Sequence, residues 1–155
     1  MRDEEGVRRF VEHMAMLWAD LGFPKMPARI LMAMMAAEQD ALTAAELGER
    51  LEVSPAAISG AVRYLIQIGM LQRHPTPGTR HNSYRLTADA WYEVSLAKDG
   101  QFKKISDIAQ DGISAVGGDA KSSARMAEMR DFFAFMEVEM AAILDKWKQS
   151  RTRSI

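Results

Sequence analysis

Residues 42–86 read LTAAELGERLEVSPAAISGAVRYLIQIGMLQRHPTPGTRHNSYRL, and this stretch decides the fold. Thr43-Ala44-Ala45-Glu46 is a capping box, in which the Thr hydroxyl accepts from the amide three residues on and the Glu side chain reaches back to the cap amide. A helix is therefore expected from Ala44 to Leu51. After a short gap Ser54-Pro55 starts a second helix, because Ser is a preferred N-cap and Pro at the first helical position has no amide to leave unbonded. Gly69 ends it by taking the left-handed conformation that many helix C-termini need. Leu71 to Pro75 and Asn82 to Leu86 then flank Thr76-Pro77-Gly78-Thr79, a turn-rich linker between two antiparallel strands. The sequence predicts a mainly α fold, a winged helix-turn-helix with a small two-stranded β wing.

Charge singles out the same stretch. From Val53 to Ala88 there is no Asp or Glu, while Arg63, Arg73, His74, Arg80, His81 and Arg85 all lie inside it. Its formal charge is +4; of the 20 basic and 21 acidic residues in the whole chain, the remainder keeps 16 and 21, or −5. A one-sign surface is the footprint expected for a polyanion partner, here double-stranded DNA. On the second helix Ile58, Ala61, Val62 and Leu65 form the stripe that buries the inner face. That leaves Ala56, Ala57, Ser59, Gly60, Arg63, Tyr64 and Gln67 on the outer one. A helix led by Ala, Ser and Gly can lie deep in a major groove, where Ala methyls meet thymine methyls and Ser bonds base edges. Arg63 and Tyr64 follow, within reach of phosphates or a guanine edge. Small residues also suit close helix packing, but their place on the second helix of the motif favours DNA. The candidate DNA contacts are thus Thr43, Ser54, Ala56, Ala57, Ser59, Gly60, Arg63 and Tyr64, with Arg73, Arg80 and His81 from the wing.

Working outward, Asp3, Glu4 and Glu5 suit a helix N-terminus, and Gly22-Phe23-Pro24 stops that helix, which is expected over about residues 3–21. Val7, Phe10, Met14, Leu17 and Leu21 are spaced 3, 4, 3 and 4 along it, the mean of about 3.5 that keeps one seam facing a partner helix. Pro27 is expected to open a second helix running to about Gln39. After the wing, Thr87 is expected to cap a long helix through Val116, with a weak point at Asp99-Gly100 and a break at Gly117-Gly118-Asp119. The last helix carries Met126, Met129, Phe133, Met136, Met140, Ile143 and Trp147 at spacings 3, 4, 3, 4, 3 and 4, a sustained seven-residue repeat. Two such seams exceed what a winged-helix core needs, and their most economical use is a homodimer interface. The candidate dimerisation residues are Phe10, Met14, Leu17, Met129, Phe133, Met136, Met140, Ile143 and Trp147. The expected organisation is an N-terminal dimerisation helix (1–23), a DNA-binding domain (24–86), and a linker helix with a C-terminal dimerisation helix (87–155).

The 155 residues are 48% hydrophobic, ample for a packed core. No run approaches the roughly 18 apolar residues of a membrane span, and charges interrupt residues 1–21, unlike a secretory signal. A cytoplasmic protein without membrane association is expected. The chain has no Cys, which excludes disulfides, thiol sensing and cysteine metal sites. His13, His74 and His81 have no zinc-helix spacing, and no phosphate-binding Gly-rich loop or nucleophile constellation occurs. Neither a cofactor, a metal nor an enzymatic activity is expected. A winged helix used only as a protein-interaction module is the competing reading, suggested by the net charge of −1.

The order of these elements resembles the MarR-type winged-helix transcriptional regulators, and more closely their GbsR-like branch. The residues that carry the likeness are Leu21-Gly22-Phe23-Pro24 before Ala28-Arg29-Ile30-Leu31, Leu42 to Leu47, Ser54 to Ser59 leading to Gly69-Met70-Leu71, and Gly78-Thr79-Arg80 with Tyr84-Arg85-Leu86-Thr87 in the wing. The resemblance implies a dimer on a pseudo-palindromic operator, usually a repressor, released by a small ligand. Some GbsR-like proteins sense choline, and a quaternary ammonium ion is held by aromatic faces. Trp18, Trp91 and Tyr92, with Trp147, lie on helices expected to surround a pocket between the DNA-binding and dimer parts. The effector expected on this ground is a cationic or apolar small molecule.

Overall fold

The computed structural model describes residues 1–78, 80–88, 92–93, 100–118 and 121–153, which form two compact units, Met1–Trp91 and Tyr92–Ile155. In the first unit, Asp3 caps helix α1 (Glu4–Asp20) by accepting from the Gly6 amide at 2.9 Å. The far end of α1 closes with Gly22 in the left-handed region at φ 95°. The Gly22 amide bonds the Ala19 carbonyl and the Phe23 amide that of Trp18, both at 3.0 Å, the pair of reversed bonds that absorbs orphan carbonyls at a helix end.

Helix α2 (Lys25–Met35) begins two residues before Pro27 and stops well short of Gln39. The early start is tolerated because the first amides of a helix have no intrahelical acceptor, so Pro27, third in line, gives up nothing. At the other end, Arg2 donates to the Ala36 carbonyl and, at 2.9 Å, to Glu38. The sequence offers no local sign of this stop, since its donor lies 34 residues away.

The next elements are β1 (Leu42–Thr43), α3 (Ala44–Leu51), α4 (Pro55–Gln67), β2 (Leu71–Pro75) and β3 (Asn82–Leu86). The sheet is antiparallel in the order β1-β3-β2, so the expected two-stranded wing has a third strand. Thr43 is extended because it is the N-cap of α3. The residues just ahead of the cap therefore pair with β3, Leu42 opposite Tyr84 and Thr43 opposite Ser83. A two-residue strand is too short to leave a pattern.

Ile30 and Leu31 of α2, Leu42, Leu47 of α3, and Ile58 and Leu65 of α4 are all completely buried, each such side chain contributing about 1.5–3 kcal/mol. Val11 and Ala15 of α1 are buried too, and Val7, Met14 and Trp18 pack against the same core. Thus α1, expected as a separate segment, belongs to the core of the first unit. Arg29 ties it there: its guanidinium holds Glu12 of α1 through Nη2 at 2.6 Å and Nε at 2.9 Å, and donates to the Leu51 carbonyl at 2.9 Å.

The second unit contains α5 (Gln101–Val116) and α6 (Lys121–Thr152). Phe102 meets Phe133, the Ser106 hydroxyl bonds the Arg130 carbonyl, and Gly112 lies against Met126; this descending order makes the pair antiparallel. The weak point at Gly100 is where α5 starts, with Gly100 left-handed at φ 67°. Glu93 accepts from the Trp147 indole at 2.5 Å and pairs with Arg151 at 3.6 Å. The Thr87 amide bonds the Met70 carbonyl at 3.1 Å and so extends the hairpin. Of the helix expected from Thr87 through Val116, the part Gln101–Val116 is α5, and residues 89–91 and 94–99 lie outside those described.

Candidate nucleic-acid interface

Helix α4 is held from three sides. Its start is fixed by the Ser54 hydroxyl, which accepts from the Ala57 amide at 3.3 Å, and by Pro55 in the first turn. Its inner face is buried through Ile58, Ala61, Val62 and Leu65. Its end closes on Gly69, left-handed at φ 78°, with the Met70 amide bonding the Leu65 carbonyl at 2.9 Å. What remains open is one face: Ala56, Ser59, Gly60, Arg63 and Gln67 are all exposed, at the spacing of successive helical turns. Gln67, not singled out as a contact from sequence, closes this row one turn beyond Arg63.

The turn before α4 fixes how it is presented. Glu52 ends α3 in the left-handed region at φ 55°, and the Val53 amide bonds the Gly48 carbonyl at 3.0 Å. A Cβ on Gly48 would stand 3.0 Å from the Val53 carbonyl oxygen, so glycine lets the chain fold back tightly there. The capping box at the start of α3 is complete: Glu46 N to Thr43 Oγ1 at 3.2 Å and Thr43 N to Glu46 Oε2 at 2.7 Å.

The wing is the β2–β3 hairpin, with Arg73 opposite Tyr84 and His74 opposite Ser83. Buried Ser83 donates to the His74 carbonyl at 2.7 Å. Gln72 faces Arg85 across the strands, and with its amide turned so that the oxygen meets the guanidinium it accepts from Nε at 2.6 Å and Nη2 at 2.8 Å. Arg73, Arg80 and His81 are exposed. Among the described residues, Arg63, Arg73 and Arg80 have no carboxylate partner, as is also true of Arg8, Arg50, Arg85, Arg125 and Arg153, whereas Arg2, Arg9, Arg29, Arg130 and Arg151 are ion-paired. The open helix face and the wing therefore present cations that no acid among the described residues pairs with.

Some of the expected contact residues are also engaged within the fold, as the Ser54 hydroxyl is at the start of α4. Tyr64 is half-buried and meets Phe23 edge-on with ring centroids 6.1 Å apart; Phe23, brought in by the end of α1, draws the ring away from the open face. The Thr43 hydroxyl is engaged as a helix cap, and Ala57 is half-covered. Of the aromatic residues considered for a cage, Trp18 packs edge-on against Phe23 at 5.9 Å, which is a core role. Tyr92 is exposed in the second unit, and Trp91 lies outside the described residues. Among the described residues no group of His, Asp or Glu is placed to hold a metal, and no helix is long and apolar enough to cross a membrane.

The MarR family model matches residues 21–80, and a model for MmpR5-like MarR family transcriptional regulators matches residues 89–150. The HTH-type transcriptional regulator MmpR5 of Mycobacterium tuberculosis is 27% identical over 150 residues, covering 96% of this chain and 91% of the relative. A crystal structure of a transcriptional regulator has a TM-score of 0.75 at 26% identity, covering 93% of this chain and 99% of that one. Both of these relatives are regulators of transcription. The helix-turn-helix, the wing and the two family matches, which run in sequence along the chain, agree: it is a winged-helix transcriptional regulator of the MarR family.

Proposed function

We propose that the chain is a cytoplasmic repressor that binds a pseudo-palindromic operator as a homodimer, reading bases with α4, gripping the backbone with the wing, and leaving DNA when a small ligand binds. The observation that carries this reading is the exposed Ala56-Ser59-Gly60-Arg63-Gln67 row of α4 beside the exposed Arg73 and Arg80 of the wing, none of the three arginines paired with an acid among the described residues. Supporting the dimer, apolar side chains lie open on both helices that carry the 3.5-residue seams. They are Phe10 and Leu17 on α1, with Leu21 at its C-cap, and Met129, Phe132, Phe135, Ile143 and Trp147 on α6. A monomer has no use for so many open apolar side chains along one helix, and a two-fold pair is the commonest way to cover them.

Within the family, the likeness to the GbsR-like branch rests on motifs from Leu21 to Thr87, whereas the match over 89–150 is to MmpR5-like regulators. The effector proposal accordingly covers both an apolar and a cationic organic molecule. Such a ligand acts only by binding the free and DNA-bound arrangements with different affinity.

Duplexes selected by the chain from a randomised pool test the whole reading. The expected selection is two inverted half-sites about 34–36 Å apart centre to centre. Titrating quaternary amines and long-chain apolar compounds into the resulting complex tests release. Recovery of no preferred sequence would favour a module that binds protein instead of DNA.

A further inference from the structure

Four glycines lie inside helices of the described residues: Gly6, Gly48, Gly60 and Gly112. A glycine inside a helix is a cost to stability, and it persists where a left-handed backbone or a close neighbour requires it. None of these four has a positive φ, so neighbours must account for them. For three they do. A Cβ on Gly6 would stand 2.5 Å from the Asp3 carboxylate that caps α1, one on Gly48 3.0 Å from the Val53 carbonyl, and one on Gly112 2.9 Å from the Met126 sulfur. A Cβ on Gly60 would meet nothing within 4 Å. Gly60 is exposed, in the middle of α4, in the row that Ala56, Ser59 and Arg63 complete.

Nothing in the described fold accounts for glycine at this position, yet a helix former there would strengthen α4. We infer that Gly60 is the point of closest approach between the backbone of α4 and the base edges of operator DNA, and that its missing side chain sets how deeply the helix seats and hence which sequences it accepts. The inference rests on the reading of α4 as the recognition helix. An α-helix with its side chains is about 10–12 Å across and the major groove about 12 Å wide. One methyl at the centre of the inserted face therefore decides whether the base-contacting groups of Ser59 and Arg63 reach full depth. Phosphate contacts, which carry most non-specific binding, are made at the groove walls and by the wing, and tolerate a shallower seat.

The test uses the full chain with Gly60→Ala and Gly60→Leu, a duplex selected by the wild type from a randomised pool, and a scrambled duplex of equal length. Both variants are expected to melt about 2–5 °C above the wild type, as better helix formers at an exposed position. Affinity for the selected duplex is expected to fall about tenfold for Ala and further for Leu, as for a methyl forced into a filled contact. Affinity for the scrambled duplex should stay within about twofold. Stability and specificity thus move in opposite directions. Unchanged affinity of Gly60→Ala and Gly60→Leu for the selected duplex, with wild-type selectivity intact, overturns the inference and leaves the proposed function standing. Absence of any sequence preference in the wild type overturns the proposed function and the inference with it. A parallel loss on both duplexes also overturns the inference, since it would make Gly60 a general contact with no part in selecting sequence.

Discussion

Arg63 and Arg80 carry equal charge, and their positions give them different work. Arg63 stands on the open face of α4, one helical turn beyond Ser59 and Gly60, where on the proposed reading its guanidinium would reach a base edge; Arg80 stands at the wing beside Gly78, where it would reach backbone or minor groove. Arg63→Ala is expected to cost about 1–3 kcal/mol on the selected duplex and much less on scrambled DNA. Arg80→Ala should weaken both more evenly and lower the salt slope by about one counterion. Parallel losses in the two variants would make both residues phosphate contacts. At the same scale, Glu52 sits left-handed at φ 55° with no glycine to ease it. Glu52→Gly is expected to raise unfolding stability by about 1 kcal/mol in urea titration; a decrease would show that the Glu side chain contributes more than the backbone strain it brings.

At the scale of elements, what the sequence reveals depends on how far apart the cooperating residues lie. Thr43 with Glu46, Ser54 with Pro55, and Gly22 and Gly69 act within a few positions of themselves, so α3, α4 and the ends of α1 and α4 could be read directly. Features set by distant partners could not: the Arg2 donation that meets the end of α2, the Arg29–Glu12 pair that fixes α1, and the pairing of β1 with β3. The half-burial of Tyr64 was hidden for the same reason, because its partner Phe23 arrives from another helix end. The seam on α6 shows a further limit, since periodicity cannot distinguish a partner in the same chain from one in its twin. Phe133 packs on Phe102 of α5 with ring centroids 5.9 Å apart, and Met136 and Met140 are half-covered, whereas Phe135 is 61% exposed. Phe135→Asp is therefore expected to give a folded monomer in sedimentation, while Phe133→Asp loses both α5–α6 packing and association, as a charge without a partner in an apolar seam does. A stable dimer of Phe135→Asp would move the interface to another face.

At the scale of the whole molecule, the net charge of −1 conceals a segregation, +4 within residues 53–88 and −5 elsewhere. The acid-free stretch corresponds in the structure to α4 and the wing, so the positive field coincides with the surface that would face DNA, while acids elsewhere discourage approach by other faces. A weakly acidic chain can bind a polyanion on these terms because screening confines each field to about 8–10 Å at ordinary ionic strength. The measurement that bears most directly on this account is the equilibrium affinity of the wild-type chain for the selected and the scrambled duplex over a series of salt concentrations, with stoichiometry. Two protomers per selected duplex are expected, with log K falling linearly with log salt on both DNAs and a preference for the selected duplex of about a thousandfold or more. Equal affinity for the two duplexes, or affinity indifferent to salt, would contradict it.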